Sequence, residues 1–480
     1  MSIRSYLRNM QSRPIVRPWA LSAPILVLIV CLPMLRPLRH PATASEDESL
    51  RLATVQSIVT TGSLALHAPA PKTVDPARLI EKNRRFYADQ PPVMAVLLSG
   101  PAWVMRRFGL TQEDNGSLVT FVLTVLGVTL PVAGAAGLLY RMGRLFELPR
   151  PWRAGFAAAI VFGSGLASYA VVLNPHAPAA VLVLCAAACL IHVSMTRQPR
   201  RGASWMMLAG MCAAGAAALD PPAGILAVLL VFAIAAMRFP IRYRLAGVLV
   251  YLVGAALPVG LHAAWAWPLK HEVIPGWKAS PIIASITSRG RASDSHPSDG
   301  DARLASDTID ADDIIAPPSR WITVGRYVQW LFDAFFGAHG ILSHFPVILV
   351  GLTGVGAVMH RHWPSFVKTL AAGTVVGAVL IVVIYCVPLS DFAGGGGAMF
   401  ASRWFIVFLP LLLFWSGAWL RRTHSYPSWA MAAALLIFSI GVSLIGMTEP
   451  YPRDGFDHYT AKAALDRLVH ANLSDALAGR

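Results

Sequence analysis

Four groups of residues have types and spacing that could do chemistry. The first is Ser45-Glu46-Asp47-Glu48-Ser49-Leu50, in which three carboxylates are adjacent. Like charges this close raise one another's pKa, and partial burial raises it further. A carboxylate tuned in this way can serve as general base towards an acceptor hydroxyl or amine. Asp47 and Glu48 are the candidates, and a solvated acidic cap at a membrane edge is the plain alternative. The second group is Arg84-Arg85-Phe86-Tyr87-Ala88-Asp89-Gln90-Pro91-Pro92. Arg84 and Arg85 can attract a lipid phosphate or act as interfacial anchors.

The third group consists of two histidines. His176 follows Asn174-Pro175 at a short turn, where it can meet a phosphate, shuttle a proton, or sit as a polar residue among lipid headgroups. His339 lies in Gly337-Ala338-His339-Gly340, where glycine permits close backbone approach. The fourth group is Gly394-Gly395-Gly396-Gly397-Ala398-Met399-Phe400-Ala401-Ser402-Arg403-Trp404. Its glycines can expose several backbone N–H groups to an anion, but no Gly-Lys-Ser/Thr follows, so it is not a nucleotide P-loop. Arg403 can pair with a phosphate or snorkel. The five cysteines, Cys31, Cys185, Cys189, Cys212 and Cys386, lie in apolar runs without a CxxC pair. They read as small buried residues, not as a disulfide framework or a zinc site. No oxygen-rich cluster marks a metal site; no cofactor is required, and a divalent metal stays open.

These residues must be positioned by elements built for a bilayer. Of 480 residues 55% are hydrophobic and 14% charged, and the mean hydropathy is +0.56. A soluble chain of this length would need more charge on its surface. A crossing helix takes about 20 apolar residues. Charge-free stretches of suitable length run over 19–35, 117–140, 154–173, 177–196, 202–219, 221–237, 245–269, 342–359, 369–390, 404–420 and 426–447. They predict an all-α membrane protein of about eleven transmembrane helices. Asp220-Pro221-Pro222 should break the chain into a hairpin between 202–219 and 221–237, a single kinked helix being the alternative.

Charge orients this layout. Arg4, Arg8, Arg13 and Arg17 precede the first stretch, and every alternate connection thereafter is basic: Arg141 to Arg153, Arg197 to Arg201, Arg238 to Arg244, Arg361 with Lys368, and Arg421 with Arg422. The positive-inside rule puts these in the cytoplasm. The expected organisation is a cytoplasmic N-terminus (1–18), a transmembrane domain (19–447) with outer loops at about 38–116 and 270–340, and an outer tail (448–480). The pattern accounts for the net charge of +15 without nucleic acid and points to the inner membrane. Arg403 falls on the outer side, against the trend. A cleavable signal peptide ending at Ala42-Thr43-Ala44 is disfavoured because Arg36 and Arg39 follow the apolar run directly. Within the first outer loop, 50–59 has helical spacing and Thr61-Gly62 should end that helix. A second interfacial helix should follow Pro91-Pro92, since 93–104 is too short to span.

In order and in type, these pieces resemble the GT-C class of membrane glycosyltransferases, which includes the protein O-mannosyltransferases and the lipid A aminoarabinose transferase. Asp47-Glu48 resembles the acidic pair of that class's first outer loop. Tyr87-Ala88-Asp89-Gln90-Pro91-Pro92 resembles its Tyr-x-x-Lys-Pro-Pro signature, with Gln90 in place of lysine. His339-Gly340 resembles a glycine-histidine element, and 394–404 resembles a glycine-rich segment ending in Gly-Pro-Arg-Tyr/Trp, with Ser402 in place of proline. The resemblance implies a GT-C-like fold and sugar transfer at the outer face from a polyprenyl-phosphate-linked donor to a glycan, lipid or protein acceptor. It implies Asp47 as base or acceptor-orienting group with Glu48 second. Arg403, with Arg84, Arg85 or His339, would stabilise the departing phosphate, and His176, Gln90 and Tyr87 are further candidates. Two other functions stay open: a lipid or glycan transporter or flippase, and an inactive relative of the same fold. Transporters tend to carry internal repeats and mid-membrane charges. No convincing repeat is present, and the charges inside apolar stretches, Asp220 and Asp333, lie near their ends.

Overall fold

The computed structural model describes residues 18–39, 45–66, 79–196, 202–270, 328–329, 331–383, 400–401, 403–422, 425–451 and 460–462. Most of the outer loop at 270–340, the glycines 394–397, Ser402 and Cys386 lie outside these residues.

Helix α1 (Pro18–Cys31) leads through the short α2 (Arg36–Arg39) to α3 (Glu46–Thr61). The start of α3 has a local cause. Ser45 is extended, and its hydroxyl accepts from the Glu48 N–H at 3.2 Å. Ser-x-x-Glu is a capping box, and the acids of the first turn complement the helix dipole. The helix thus begins at Glu46, earlier than the hydrophobic spacing alone suggests, and Asp47 lies in its first turn. Gly62, at φ 70, ends it by donating to Ile58 O. The buried residues of α3 include Glu48, Arg51, Thr54 and Ser57, so its inner side is polar as well as apolar.

A hairpin follows, which hydrophobic patterning does not reveal. Strands β1 (Leu79–Lys82) and β2 (Arg85–Ala88) pair antiparallel with Lys82 opposite Arg85. Asn83 and Arg84 form the turn at φ 53 and 59, the left-handed geometry of a two-residue hairpin turn. Pro91-Pro92 then opens α4 (Val93–Arg107).

The remaining helices are α5 (Gly116–Thr124), continued through a π turn into α6 (Leu130–Met142), then α7 (Arg150–Gly163), α8 (His176–Thr196), α9 (Ala203–Leu219), α10 (Ala223–Ala235), α11 (Ile241–Lys270), α12 (Ile341–His344), α13 (Ile348–His360), α14 (Ser365–Ile381), α15 (Leu409–Phe414), α16 (Ser416–Leu420) and α17 (Tyr426–Thr448). Asp220-Pro221-Pro222 separates α9 from α10, in keeping with two helices rather than one. Two apolar stretches behave differently from their composition. The 154–173 stretch leaves the α-helix after Gly163, because Gly165 turns at φ +76 and the Phe345 ring occupies the space a Cβ would need. The 342–359 stretch is bent by 88° between Leu331–His344 and Ile348–His360.

Among the described residues, five helices are apolar enough by length and composition to cross a membrane, six if the bent pair is one span, and four shorter apolar helices accompany them. The chain is a multi-pass, all-α membrane protein. Small residues let backbones touch, as membrane packing favours. Gly210 of α9 lies against Tyr251 O of α11, and Gly254 against Met207 O. Gly354 of α13 lies against Trp415 O. Leu249, Val253 and Leu261 of α11 stay exposed, as lipid-facing positions should.

Candidate active site

The site is assembled around the first turn of α3. Arg403, in the short 3-10 turn Arg403–Phe405, donates from Nη1 to Asp47 Oδ2 at 2.8 Å. The other oxygen, Asp47 Oδ1, accepts from Gln90 Nε2, also at 2.8 Å. Gln90 in turn accepts at Oε1 from Arg51 Nη2 (3.0 Å), and Arg51 Nη1 donates to Leu173 O (3.1 Å). A single chain of bonds thus runs from Arg403 through Asp47, Gln90 and Arg51 to the backbone before α8. The Arg403 and Asp47 side chains are 16% and 20% exposed, so bulk water screens the pair little. The two donors thus occupy both carboxylate oxygens of Asp47.

Arg51 is a member of the candidate site that sequence inspection missed. It lies one helical turn beyond Asp47, where i, i+4 side chains meet, and it is 7% exposed. Burial pulls its pKa down, while Asp47, Tyr451 and Glu48 push it back up. Its spacing from Asp47 was the available signal. Gln90 acquires a reason as well. An amide offers a donor to the carboxylate and an acceptor to the guanidinium, whereas a lysine could offer Arg51 only a like charge. Arg51 and Gln90 line a small open recess together with Tyr87, Pro91, Pro92, Ala95 and Trp265. One side of that recess is therefore cationic and the rest largely apolar.

The other candidates fall in four places. Glu48 is 2% exposed and is an electrostatic neighbour of Tyr451. Arg84 and Arg85 are exposed at the hairpin turn, and no described hydrogen bond joins them to Asp47 or Arg403. His339 is buried beside a junction at which Thr460 N donates to Ala338 O and Thr460 Oγ1 accepts from Ala401 N. That junction is two residues from Arg403. His176 faces inward: Nδ1 lies 2.7 Å from Asp220 Oδ2, and both residues are buried. Its ring meets Tyr169 edge-on, and the Tyr169 hydroxyl donates to Phe400 O at 2.6 Å. Asn174 caps α8 by accepting from Ala177 N and donating to Tyr169 O. Among the described residues no group of three or more His, Cys, Asp or Glu side chains could hold a metal ion.

The fold is similar to that of solved GT-C membrane glycosyltransferases. It is similar to ArnT from Cupriavidus metallidurans, solved bound to undecaprenyl phosphate, with a TM-score of 0.51 and 14% identity over 94% of this chain and 75% of that one. It is also similar to the Archaeoglobus fulgidus oligosaccharyltransferase in the apo form, with a TM-score of 0.50 and 13% identity over 89% of this chain. This chain spans 56% of that larger protein. No protein-family model and no curated protein matches the sequence.

Proposed function

We propose that the protein is an inner-membrane glycosyltransferase that moves a sugar from a polyprenyl-phosphate donor to an acceptor at the outer face. The observation that carries this reading is the Asp47–Arg403 ion pair, completed by Gln90 and Arg51, on a GT-C fold. Undecaprenyl phosphate in ArnT supports a lipid phosphate as the ligand class. The proposed topology has about eleven crossings, the N-terminus in the cytoplasm and the loops and tail outside. Helices α3 and α4 lie near the outer interface, where a lipid-linked donor can enter sideways.

The oxygen or nitrogen of the acceptor attacks sugar C1 and forms the new glycosidic bond, and Asp47 takes or orients the proton that the O–H or N–H gives up. The bond from sugar C1 to the phosphate oxygen breaks, and negative charge grows on the departing phosphate. Arg403 is placed to neutralise it, an electrostatic contribution that needs no further reorganisation in a partly buried site. The arriving phosphate also competes with Asp47 for Arg403. Its binding thus frees Oδ2 for the acceptor, so that donor binding switches the base on. Arg51 supplies a second positive charge, and the apolar wall of the recess, Pro91, Pro92, Ala95 and Trp265, suits the first prenyl units. Arg84 and Arg85 remain candidates for attracting the headgroup, Tyr87 for lining its path, and His339 for the far side of the phosphate.

The test is mass analysis of envelope glycans in a strain lacking the protein, complemented by wild type or by Asp47→Asn. The wild type should restore a modification that the variant does not. Full restoration by Asp47→Asn removes Asp47 as base; no glycan difference between deletion and wild type removes the transferase.

A further inference from the structure

The 154–173 stretch carries no charge, yet it leaves the α-helix after Gly163 and reaches α8 through a 3-10 turn (Ser168–Val171) and an extended Val172. Within a membrane protein, irregular backbone persists only where it is buried in protein with its polar groups paired, or where it lines a cavity. Residues 168–174 are all buried, and their carbonyls, freed from a helical ladder, are taken by side chains. Thr129 donates to Ala170 O at 2.8 Å. Asn174 Nδ2 donates to Tyr169 O and Val172 O. Arg51 Nη1 donates to Leu173 O at 3.1 Å, which ties one cation of the site to this segment. The same segment reaches the other cation. The Tyr169 hydroxyl donates to Phe400 O at 2.6 Å, and Phe400 N donates to Pro450 O at 3.0 Å. Both backbone groups of the buried Phe400 are therefore held. Ala401 follows at φ 52, a conformation that is uncommon without glycine and persists where the surroundings enforce it. Arg403, whose Nη1 meets Asp47, comes two residues later.

We propose that Tyr169 is a positioning residue for Arg403: by holding Phe400 O it fixes the turn from which the guanidinium reaches Asp47. Leu173, on the same buried segment, does the corresponding work for Arg51 through its carbonyl. One irregular stretch of backbone thus anchors both cationic side chains of the site, and this is what the break in the 154–173 helix provides. The consequence for sugar transfer rests on the transferase reading above, but the positioning itself is measurable without substrate.

The experiment reads the melting temperature and the affinity for undecaprenyl phosphate of the full-length protein in lipid nanodiscs. Tyr169→Phe keeps the ring and removes the hydroxyl. Its affinity should be roughly five-fold below that of the wild type, the equivalent of one neutral hydrogen bond. In an Arg403→Gln background the same change should cause no further loss, because the hydroxyl acts through Arg403. Thermal unfolding supplies the substrate-free cycle. The fall in melting temperature caused by Asp47→Asn should be smaller in the Tyr169→Phe background, where Arg403 already meets Asp47 less well. A hydroxyl that only stabilised the bundle would add its loss to that of Asp47→Asn. Additive melting shifts overturn the proposal, and so does wild-type affinity in Tyr169→Phe. If Tyr169→Phe does not fold, fluorotyrosine is placed at 169 in the otherwise native protein. Its fluorine resonance should shift when Asp47→Asn releases Arg403, and an unmoved resonance overturns the proposal. Failure of the wild type to bind undecaprenyl phosphate counts against the transferase and leaves the melting cycle to decide the role of Tyr169.

Discussion

Asp47 and Arg403, 356 residues apart in the chain, meet through a 2.8 Å bond between Oδ2 and Nη1. The pair joins the helix after the first apolar stretch to a turn near the end of the bundle. Because Gln90 takes the second carboxylate oxygen, Asp47 has both oxygens engaged. Under the proposed transferase reading, an acceptor would reach Asp47 only once one of these partners lets go, as Arg403 would on meeting a donor phosphate.

Asp47→Asn should lower transfer by roughly 10²- to 10⁴-fold, the span of a lost general base. The amide is isosteric, so the protein should remain folded. Transfer of labelled sugar from a polyprenyl-phosphate donor, read beside the melting temperature, checks both halves. An unaltered rate would falsify the base assignment.

Arg403→Lys keeps the charge and loses the planar fork, which is not a conservative change at a site for an oxyanion. Affinity for undecaprenyl phosphate should fall about ten-fold in Arg403→Lys and about a hundred-fold in Arg403→Gln, in line with loss of a charge-assisted contact of about 1.5–3 kcal/mol. Titration of the lipid in nanodiscs measures it. Equal affinity in all three proteins removes Arg403 from the phosphate.

Gln90→Lys places an ammonium beside the buried Arg51 guanidinium, and like charges in a half-dry site repel. The variant should be less stable than the parent by about 1–3 kcal/mol, as expected when a buried hydrogen-bonding partner is lost. Adding Arg51→Gln should recover most of that loss, since the double variant exchanges the positions of amide and cation. Denaturation midpoints of the four proteins form the cycle; additive losses mean the two side chains do not act together.

Asp220→Ala leaves the buried His176 Nδ1 without its partner at a cost of about 1–3 kcal/mol, whereas Asp220→Asn keeps a hydrogen bond and should cost less. Thermal unfolding in detergent ranks them. Should Asp220→Ala unfold at the wild-type temperature, the His176–Asp220 contact is not contributing to stability.

Alkaline stability should report Tyr451. Its folded-state pKa lies above the ordinary value of 10.0, so between pH 10 and that higher value the folded state binds more protons than the unfolded one. Stability contributed by the protonated phenol is therefore complete below about pH 10 and falls as pH rises above it. Tyr451→Phe should unfold less steeply with pH in that range, and melting curves from pH 9 to 11.5 give the comparison. Identical slopes would mean that the phenol is not held in the folded state.

Much of the site could be read from residue types because its chemistry is local. The carboxylates after the first apolar run, the segment before Pro91-Pro92 and the arginine at 403 stand out by charge against an apolar background. Ser45 and Glu48 also carried a legible capping signal, although hydrophobic spacing alone placed the helix start later. Arg51 did not stand out, because an arginine in a short amphipathic run looks like any solvated charge until burial is known. The hairpin at 79–88 was hidden for a similar reason: its strands are four residues each, too short for alternation to show.

What the sequence by itself determined is the solvent and the inventory. A chain with so little charge has to place its apolar helices in lipid, and its few charged side chains stand out by type against them. Tertiary structure alone decided the partners. Only the packed bundle shows that Arg403 reaches Asp47, that Gln90 links Asp47 to Arg51, that Gly165 ends a helix for the Phe345 ring, and that the Phe400 N–H returns to Pro450 O. Each of these contacts joins segments far apart in the chain, and the burial that gives them their strength exists only once the intervening helices have packed.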